Sequence, residues 1–355
     1  MDFTPTEEQE AARELAGRIF ADLATHERLR AAGTGTDTEL WKALCAAGLP
    51  GAVEETGLLG LVLLLEEQGL RTAQVPFAAS CVYGILAVAR HGTDEQRARL
   101  LPGLRDGTTV VTGALPAPGT IGSRGGERLS GVVEWVPWLR DATHVLVPDE
   151  DRALWLVRTE DAAAVEAVEL TAPWAAARLV LDGTPAERLG APPGADGPGR
   201  AIAPGAYDDV LAAARIAFAG LQAGVCAGSL ARAVEYTSIR EQFGRPLSTH
   251  QAVQLRAADA HMDTEAIRVT AYEAAWRFDE GLDAGGPALT AAWWASEAGK
   301  RVVHAGQHLH GGMGADLDHP VHRHFLWGRQ LDAYLGCGTE LLAELGDLLA
   351  KGTPS

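Results

Sequence analysis

No proline interrupts the chain between Pro204 and Pro246, and Tyr207–Glu241 therefore reads as one nearly continuous helix. A second long helix opens at Ser248, where Ser248-Thr249-His250-Gln251 has the pattern of a capping box, and it runs to about Asp279. A third starts at Pro287 and ends at Gly311-Gly312. A fourth runs from Pro320 to Ala350, with Leu341, Leu342, Leu345, Leu348 and Leu349 as its apolar stripe. Four long helices with short connections form a bundle, which we assign to residues 204–355.

The texture upstream is different. Residues 1–107 read as a smaller helical domain. Thr4-Pro5-Thr6-Glu7 supplies a cap at Thr4, a proline at the first helical position and a Glu three residues on. Helices follow over Thr38–Ala47, Leu58–Gln68 and Ala78–His91, and Gly92-Thr93-Asp94-Glu95 starts another. From 108 to 203 short β-rich runs (Thr108–Thr112, Gly131–Val136, Thr143–Val147, Ala153–Val157, Arg178–Leu181) alternate with Gly, Pro and Asp. That spacing predicts a small antiparallel β-barrel or sandwich. Gly190–Gly205 carries four prolines and reads as a linker. The fold class is α+β, mainly α, in three domains at 1–107, 108–203 and 204–355.

Composition excludes several functions. With 30 Lys+Arg against 47 Asp+Glu the net charge is -17, which argues against nucleic acid, because phosphate neutralisation needs basic residues in excess. The longest apolar run, Leu58–Leu65, is far short of the roughly 20 residues of a membrane span. Met1-Asp2-Phe3-Thr4 has no basic segment before an apolar stretch, so no signal peptide is expected. Cys45, Cys81, Cys226 and Cys337 are scattered without a framework spacing, which fits a reducing compartment. We expect a cytoplasmic protein.

Three motifs in order give the chain a specific likeness. His91-Gly92-Thr93-Asp94-Glu95-Gln96 precedes Leu101-Pro102. Arg240-Glu241-Gln242-Phe243-Gly244-Arg245-Pro246-Leu247 precedes His250-Gln251. His310-Gly311-Gly312-Met313-Gly314 precedes Pro320-Val321-His322-Arg323. Over essentially its whole length the sequence resembles the acyl-CoA dehydrogenase family, with its GTxEQ…LP stretch, RxxFG signature and GGxG turn. The resemblance implies oxidation of an acyl-CoA thioester to the 2,3-enoyl-CoA by FAD, with a Glu carboxylate taking the α-proton. Such chemistry needs a base within hydrogen-bond reach and stabilisation of an enolate.

Carried over residue by residue, the resemblance makes Arg240 a ligand of the FAD pyrophosphate, Phe243 a packing residue on the cofactor and Gln251 a polar contact. Gly311 and Gly312 let the backbone approach the cofactor. The family often has Gln three residues before the glycine pair. That position is His308 here, with Gln307 beside it. In the family the adenine half of each FAD is held partly by a neighbouring subunit. Each assignment has a plain structural counterpart: a helix cap for Gln251, solvated surface charges for Arg240 and Arg245, and a helix C-cap for Gly311-Gly312. His304 with His308, and His319 with His322, have ligand spacing on a helix, but no accompanying pattern supports a metal, and none is expected.

Two departures from the family redirect the functional reading. Common members place the catalytic Glu in a Tyr-Glu-Gly-Thr stretch, which aligns here with Tyr334-Leu335-Gly336-Cys337, so Leu335 holds the base position. Other members place it just before Arg215, where this chain has Ala214. The loop that wraps the flavin reads Gly113-Ala114-Leu115-Pro116-Ala117-Pro118-Gly119-Thr120, with no acid, and the strand after it keeps Trp135 but has Pro137 in place of Thr. The chain resembles the non-catalytic subunits of actinobacterial α2β2 acyl-CoA dehydrogenases that act on CoA thioesters of steroid side chains. That likeness implies a paralogous partner carrying the Glu and most of the substrate contacts, with this chain completing the FAD site. The alternatives are a self-sufficient homotetramer whose base has moved to Asp208 or Asp209, and a redox-inactive scaffold protein.

Overall fold

The computed structural model describes residues 3–117, 119–123, 127–190 and 205–352. The chain runs through α1 (Glu7–Leu23), α2 (His26–Ala31), α3 (Thr38–Ala46), α4 (Leu49–Arg71), α5 (Phe77–Ala79), α6 (Ala87–His91) and α7 (Asp94–Asp106). A π-helical stretch, Ser80–Leu86, joins α5 to α6. Eight strands follow: β1 (Val111–Gly113), β2 (Ile121–Ser123), β3 (Arg128–Val136), β4 (His144–Pro148), β5 (Leu154–Arg158), β6 (Ala164–Ala167), β7 (Ala177–Pro185) and β8 (Glu187–Arg188). After α8 (Ala206–Ile239) come a short hairpin of β9 (Glu241–Gln242) and β10 (Arg245–Pro246), then α9 (Gln251–Asp279), α10 (Gly285–Leu309), α11 (Pro320–Ala333) and α12 (Gly338–Gly352). The linker expected over Gly190–Gly205, and with it the boundary at 203/204, falls on residues 191–204, outside the described residues.

The described chain divides into two compact units, each discontinuous in sequence. One combines the residues up to Ala31, Leu58–Ala73 and everything from Arg215 onward. The other combines Ala32–Gly57 with Gln74–Ala214. The division cuts α4 at Gly57, which has φ 72° and ψ -167° and breaks the helix in two.

In the first unit α8 is the central element. It is long and apolar enough to cross a membrane, yet 89% of its apolar window is buried within the protein, so its surface is already covered. Small residues permit the packing. A side chain on Gly224 would strike the Glu66 backbone and one on Gly228 the Leu70 carbonyl, so these positions let the second half of α4 approach α8 at backbone distance. Leu58, Leu61, Leu63, Leu64 and Leu65 are fully buried. At the start of that half-helix the Asp279 carboxylate accepts from the Leu58 and Leu59 amides, at 2.8 and 2.9 Å, and caps it from the end of α9.

In the second unit two four-stranded sheets, ordered β1-β4-β5-β8 and β2-β3-β7-β6, pack through Leu129, Val133, Val136, Val145, Trp155, Val157 and Leu179. All ladders in these sheets are antiparallel except β1 with β4, which is parallel. The β4–β5 turn is organised by the buried Asp149 carboxylate, which accepts from the Ala153 amide and the Trp155 indole, both at 2.8 Å.

Several local expectations are corrected. The first helix is capped by Thr6, not Thr4, in a reciprocal box with Gln9. Thr93 and Gln96 form the same box at the start of α7. Ser248 caps nothing: Leu247–Thr249 is a 3-10 turn, the N-cap of α9 is His250, and its side chain makes no capping bond. The helix expected from Pro320 to Ala350 is two helices, α11 and α12. They are separated at Leu335 and Gly336, with φ of 66° and 112°, values no right-handed helix accommodates.

Candidate functional site

Arg240 follows the last turn of α8, its amide still donating to the Tyr236 carbonyl at 2.9 Å, and the Leu247 amide donates back to the Arg240 carbonyl at 2.8 Å. Between these anchors β9 and β10 pair through Gln242–Arg245, leaving Phe243 and Gly244 as a two-residue loop with φ of 55° and 77°. Positive φ at both positions is the type I′ hairpin turn, whose twist matches the flanking strands. The glycine takes it freely and the phenylalanine does not. Phe243 is nonetheless held there with 91% of its surface exposed. His250 braces the hairpin: its ring lies 6.0 Å from that of Phe243, and its Nδ1 accepts from Arg245 at 3.3 Å. The exposed side chains of Arg240 and Gln251 have no partner among the described residues. Gln251 is the first residue of α9 and takes no part in a cap.

The second element is the glycine turn. Helix α10 ends at Leu309 with His310 as its C-cap, and Gly311 follows at φ 61°, the left-handed conformation that terminates many helices. The space where a Cβ on Gly311 or Gly312 would stand is empty to 4 Å. Gln307 folds back on its own turn, its Nε2 donating to the Gly314 carbonyl at 3.1 Å, while His308 is exposed and makes no hydrogen bond among the described residues. Of the two neighbours, His308 is the one that faces outward.

Each of these groups has a chemistry of its own. A free guanidinium suits a diphosphate, an exposed aromatic face suits a purine, and an unobstructed glycine backbone admits close approach. The stretch after β1 has a different chemistry. Ala114 and Leu115 are buried, the Ala114 amide is already bonded to Leu146, and Gly113, Pro116 and Ala117 add no polar side chain. Thr112 donates to the Pro137 carbonyl at 2.6 Å. Pro118 of this loop lies outside the described residues.

Both positions to which the resemblance assigns a base hold buried apolar side chains: Ala214 is 0% exposed and Leu335 3%. Around Leu335 in sequence, the carboxylates are engaged. Asp332 accepts from Ser296 and Arg329, Glu340 from the Cys337 amide at 3.0 Å, and Glu344 from both terminal nitrogens of Arg215 at 2.9 and 2.6 Å. The carboxylates upstream of Ala214 are committed as well. Asp208 pairs with Arg152 at 3.1 Å, and Asp209 lies 3.2 Å from both Arg90 and His91. Burial works to raise the Asp209 pKa, but the His91 hydrogen bond and the Arg90 charge outweigh it and hold the carboxyl below its ordinary range. A carboxylate so stabilised is a weak base.

The histidines have structural surroundings. His304 packs edge-on to Phe325 at 4.9 Å, and His319 accepts from the Val321 amide at the start of α11. No group of three or more metal-binding side chains occurs among the described residues. Sequence reading missed the ring contacts of Tyr236 with His310 and of His310 with His319, at 4.8 and 4.9 Å. It also missed the Arg215–Glu344 pair. Nothing in the local sequence announces either, because the partners are 74 and 129 residues apart or belong to irregular turns.

Residues 6–108 match the acyl-CoA dehydrogenase N-terminal domain and residues 206–344 the acyl-CoA dehydrogenase C-terminal domain. The chain belongs to the acyl-CoA dehydrogenase family, a class of FAD-dependent oxidoreductases. Among relatives it is similar to the acyl-CoA dehydrogenase FadE27 of Mycobacterium tuberculosis (strain ATCC 25618 / H37Rv), with 34% identity covering all of both chains. Among solved structures it is similar to a chain of the Tcur3481-Tcur3483 steroid ACAD G363A variant, with 42% identity, a TM-score of 0.89 and 98% of each chain covered. It is also similar to a chain of the ChsE4-ChsE5 complex from Mycobacterium tuberculosis, with 31% identity, a TM-score of 0.89 and full coverage of both.

Proposed function

We propose that this chain is the non-catalytic subunit of a heteromeric acyl-CoA dehydrogenase and completes the FAD site of a paralogous subunit that carries the catalytic Glu. The observation that carries the reading is a contrast within one chain. Leu335 and Ala214 are buried and apolar at the base positions, whereas Arg240, Phe243, Gln251, His308, Gly311 and Gly312 present free groups outward. A chain that held its own flavin would need polar groups along Gly113–Ala117, and that stretch has none in its side chains. FAD, when bound, supplies the hydride acceptor for α,β-dehydrogenation of a CoA thioester. Arg240 donates to the diphosphate, Phe243 packs on the adenine end, Gln251 and His308 make polar contacts, and the Gly311–Gly312 backbone closes over the cofactor.

The assembly we favour is an α2β2 heterotetramer, with the acyl-CoA bound mainly by the partner. The likeness to a chain of a steroid ACAD supports a steroid acyl-CoA, in our reading a side-chain thioester, as substrate. The likeness to a chain of the ChsE4-ChsE5 complex supports a heteromeric assembly. A cytoplasmic location belongs to the same proposal. The three-domain division at 107/108 and 203/204 belongs to the same reading. A relocated base at Asp208 or Asp209 is disfavoured by the ion pairs that hold both.

The purified chain alone should be colourless in the flavin bands and inactive in dye reduction with any acyl-CoA. Co-expressed with its paralogue, it should give a yellow, active complex. Stoichiometric FAD and turnover from the isolated chain would overturn the proposal.

A further inference from the structure

Three rings near the glycine turn touch in succession, the first pair stacked and the second tilted. Tyr236, one turn before Arg240 on α8, lies nearly parallel to His310, with centroids 4.8 Å apart and an interplanar angle of 20°. His310 meets His319 at 4.9 Å and 59°. His310 is buried, and its Nδ1 lies 2.7 Å from the Gly306 carbonyl in the last turns of α10. His319 is the N-cap of α11, and the residue before it, Asp318, has its carbonyl 2.8 Å from Nε2 of His26 on α2.

We propose that Tyr236, His310 and His319 are positioning residues that fix the Gly311–Gly312 turn relative to Arg240. The stack is the physical link between the two groups of cofactor-contact residues. Tyr236 belongs to the helical turn whose carbonyl receives the Arg240 amide, and His310 is bonded directly to Gly311. The glycine pair needs such support because, among the described residues beyond its own chain neighbours, nothing lies within 4 Å of where its Cβ atoms would stand. An aromatic contact on its other side supplies the order that glycine's conformational freedom would otherwise remove. The inference rests on the reading that this turn and Arg240 contact FAD.

The contact between the two imidazoles, 4.9 Å apart, is weakened when both are charged, because like charges repel. His310 faces His319, Tyr236 and Arg232 on α8. His319 faces His310, Arg232, His26 on α2 and the acid Asp316. Burial is the largest influence on both histidines and lowers their pKa, with the Arg232 charge acting in the same direction and, for His310, the Gly306 carbonyl opposing it. Both are therefore neutral at pH 7. As pH falls through and below the ordinary imidazole range they take up protons only against burial and mutual repulsion, and the stack loosens.

The test is amide hydrogen exchange of residues 311–315 in the full chain, with amides of α9 as reference, for wild type, Tyr236→Leu and Tyr236→Phe. Tyr236→Leu should lower protection in the turn by roughly three- to tenfold, the worth of one aromatic pair. Tyr236→Phe, which keeps the ring, should match wild type. Wild-type protection in the turn should also fall relative to α9 between pH 7 and 5. In the complex with the paralogue, FAD retention of Tyr236→Leu should weaken by the same factor. Loosened exchange with unchanged FAD retention supports the stack and overturns the cofactor reading of this turn. Tyr236→Leu exchange within twofold of wild type, or equal loosening by Tyr236→Phe, overturns the stack.

Discussion

Arg240 has no anionic partner among the described residues, so its charge is left to solvent or to a ligand. If a diphosphate is that ligand, the guanidinium makes charge-assisted hydrogen bonds contributing about 1.5–3 kcal/mol. Arg240→Ala should then weaken FAD retention by the complex by roughly ten- to a hundredfold. Arg240→Lys, which keeps the charge and loses the planar fork, should fall between. FAD titration of the co-expressed complex, followed by activity, measures both; wild-type affinity in the alanine variant would make Arg240 a surface charge. The signature around Arg240 was legible in the sequence because Phe-Gly beside it marks both the motif and the turn. The exposure of Phe243 was not, since a large aromatic at φ 55° and 91% accessible runs against both its steric preference and its solvation. Such conflicts between local preference and observed geometry concentrate at contact sites. Leu335 is the opposite case, a left-handed residue that is fully packed and therefore held by its surroundings rather than by a ligand.

At the scale of elements, the half of α4 after Gly57 depends on a cap from another helix. Its first two amides have the Asp279 carboxylate as acceptor, so Asp279→Ala removes a two-bond cap from a helix that is otherwise wholly apolar at its start. The loss should be about 1–2 kcal/mol of stability, read as a lower urea midpoint with unchanged slope. A change in slope instead would mean that the substitution altered how much structure unfolds together. The broken fourth helix shows why boundaries within the bundle were hard to read. The leucines at 341, 342, 345, 348 and 349 continue a helical period, and periodicity is blind to a break of four residues. Gly336 and Gly338, so close together, were the available signal. The misplaced cap at Ser248 has a related cause. The proline at 246 and the hairpin before it hold Leu247–Thr249 in a 3-10 turn, so the helix starts later than its composition suggests.

For the molecule as a whole, one buried histidine ties stability to acid. His324 is 1% exposed, with Nε2 3.1 Å from the Leu70 carbonyl and Nδ1 3.3 Å from that of Pro320. Burial is the dominant influence and lowers its pKa to about 4. The charges of Arg232 and Arg323 add to the lowering, and the two carbonyls oppose it. Because the folded value lies below the unfolded one, stability from the neutral ring is complete above about pH 6.5 and is lost as pH falls toward 4. The loss from this residue alone is on the order of 3 kcal/mol. Urea unfolding at pH 7 and at pH 4.5 should show it, and His324→Gln should flatten most of the difference. An equal acid loss in the variant would assign the sensitivity elsewhere.

The sequence by itself determined the three-part order of helical, β-rich and helical segments and the family. Those follow from periodicity, from proline and glycine placement, and from motif spacing, all of which are local properties of the chain. Only the tertiary structure decided which polar groups are free. Asp208, Asp209 and Glu344 look alike in sequence, and each is committed to a partner that folding brings to it, as far as 129 residues away for Glu344. It also decided that His310 is buried between two rings while His308, two residues earlier on the same helix, faces solvent. Two residues along a helix turn a side chain by about 200°. What each of the two faces then meets is set by packing between elements distant in sequence, which no local pattern encodes.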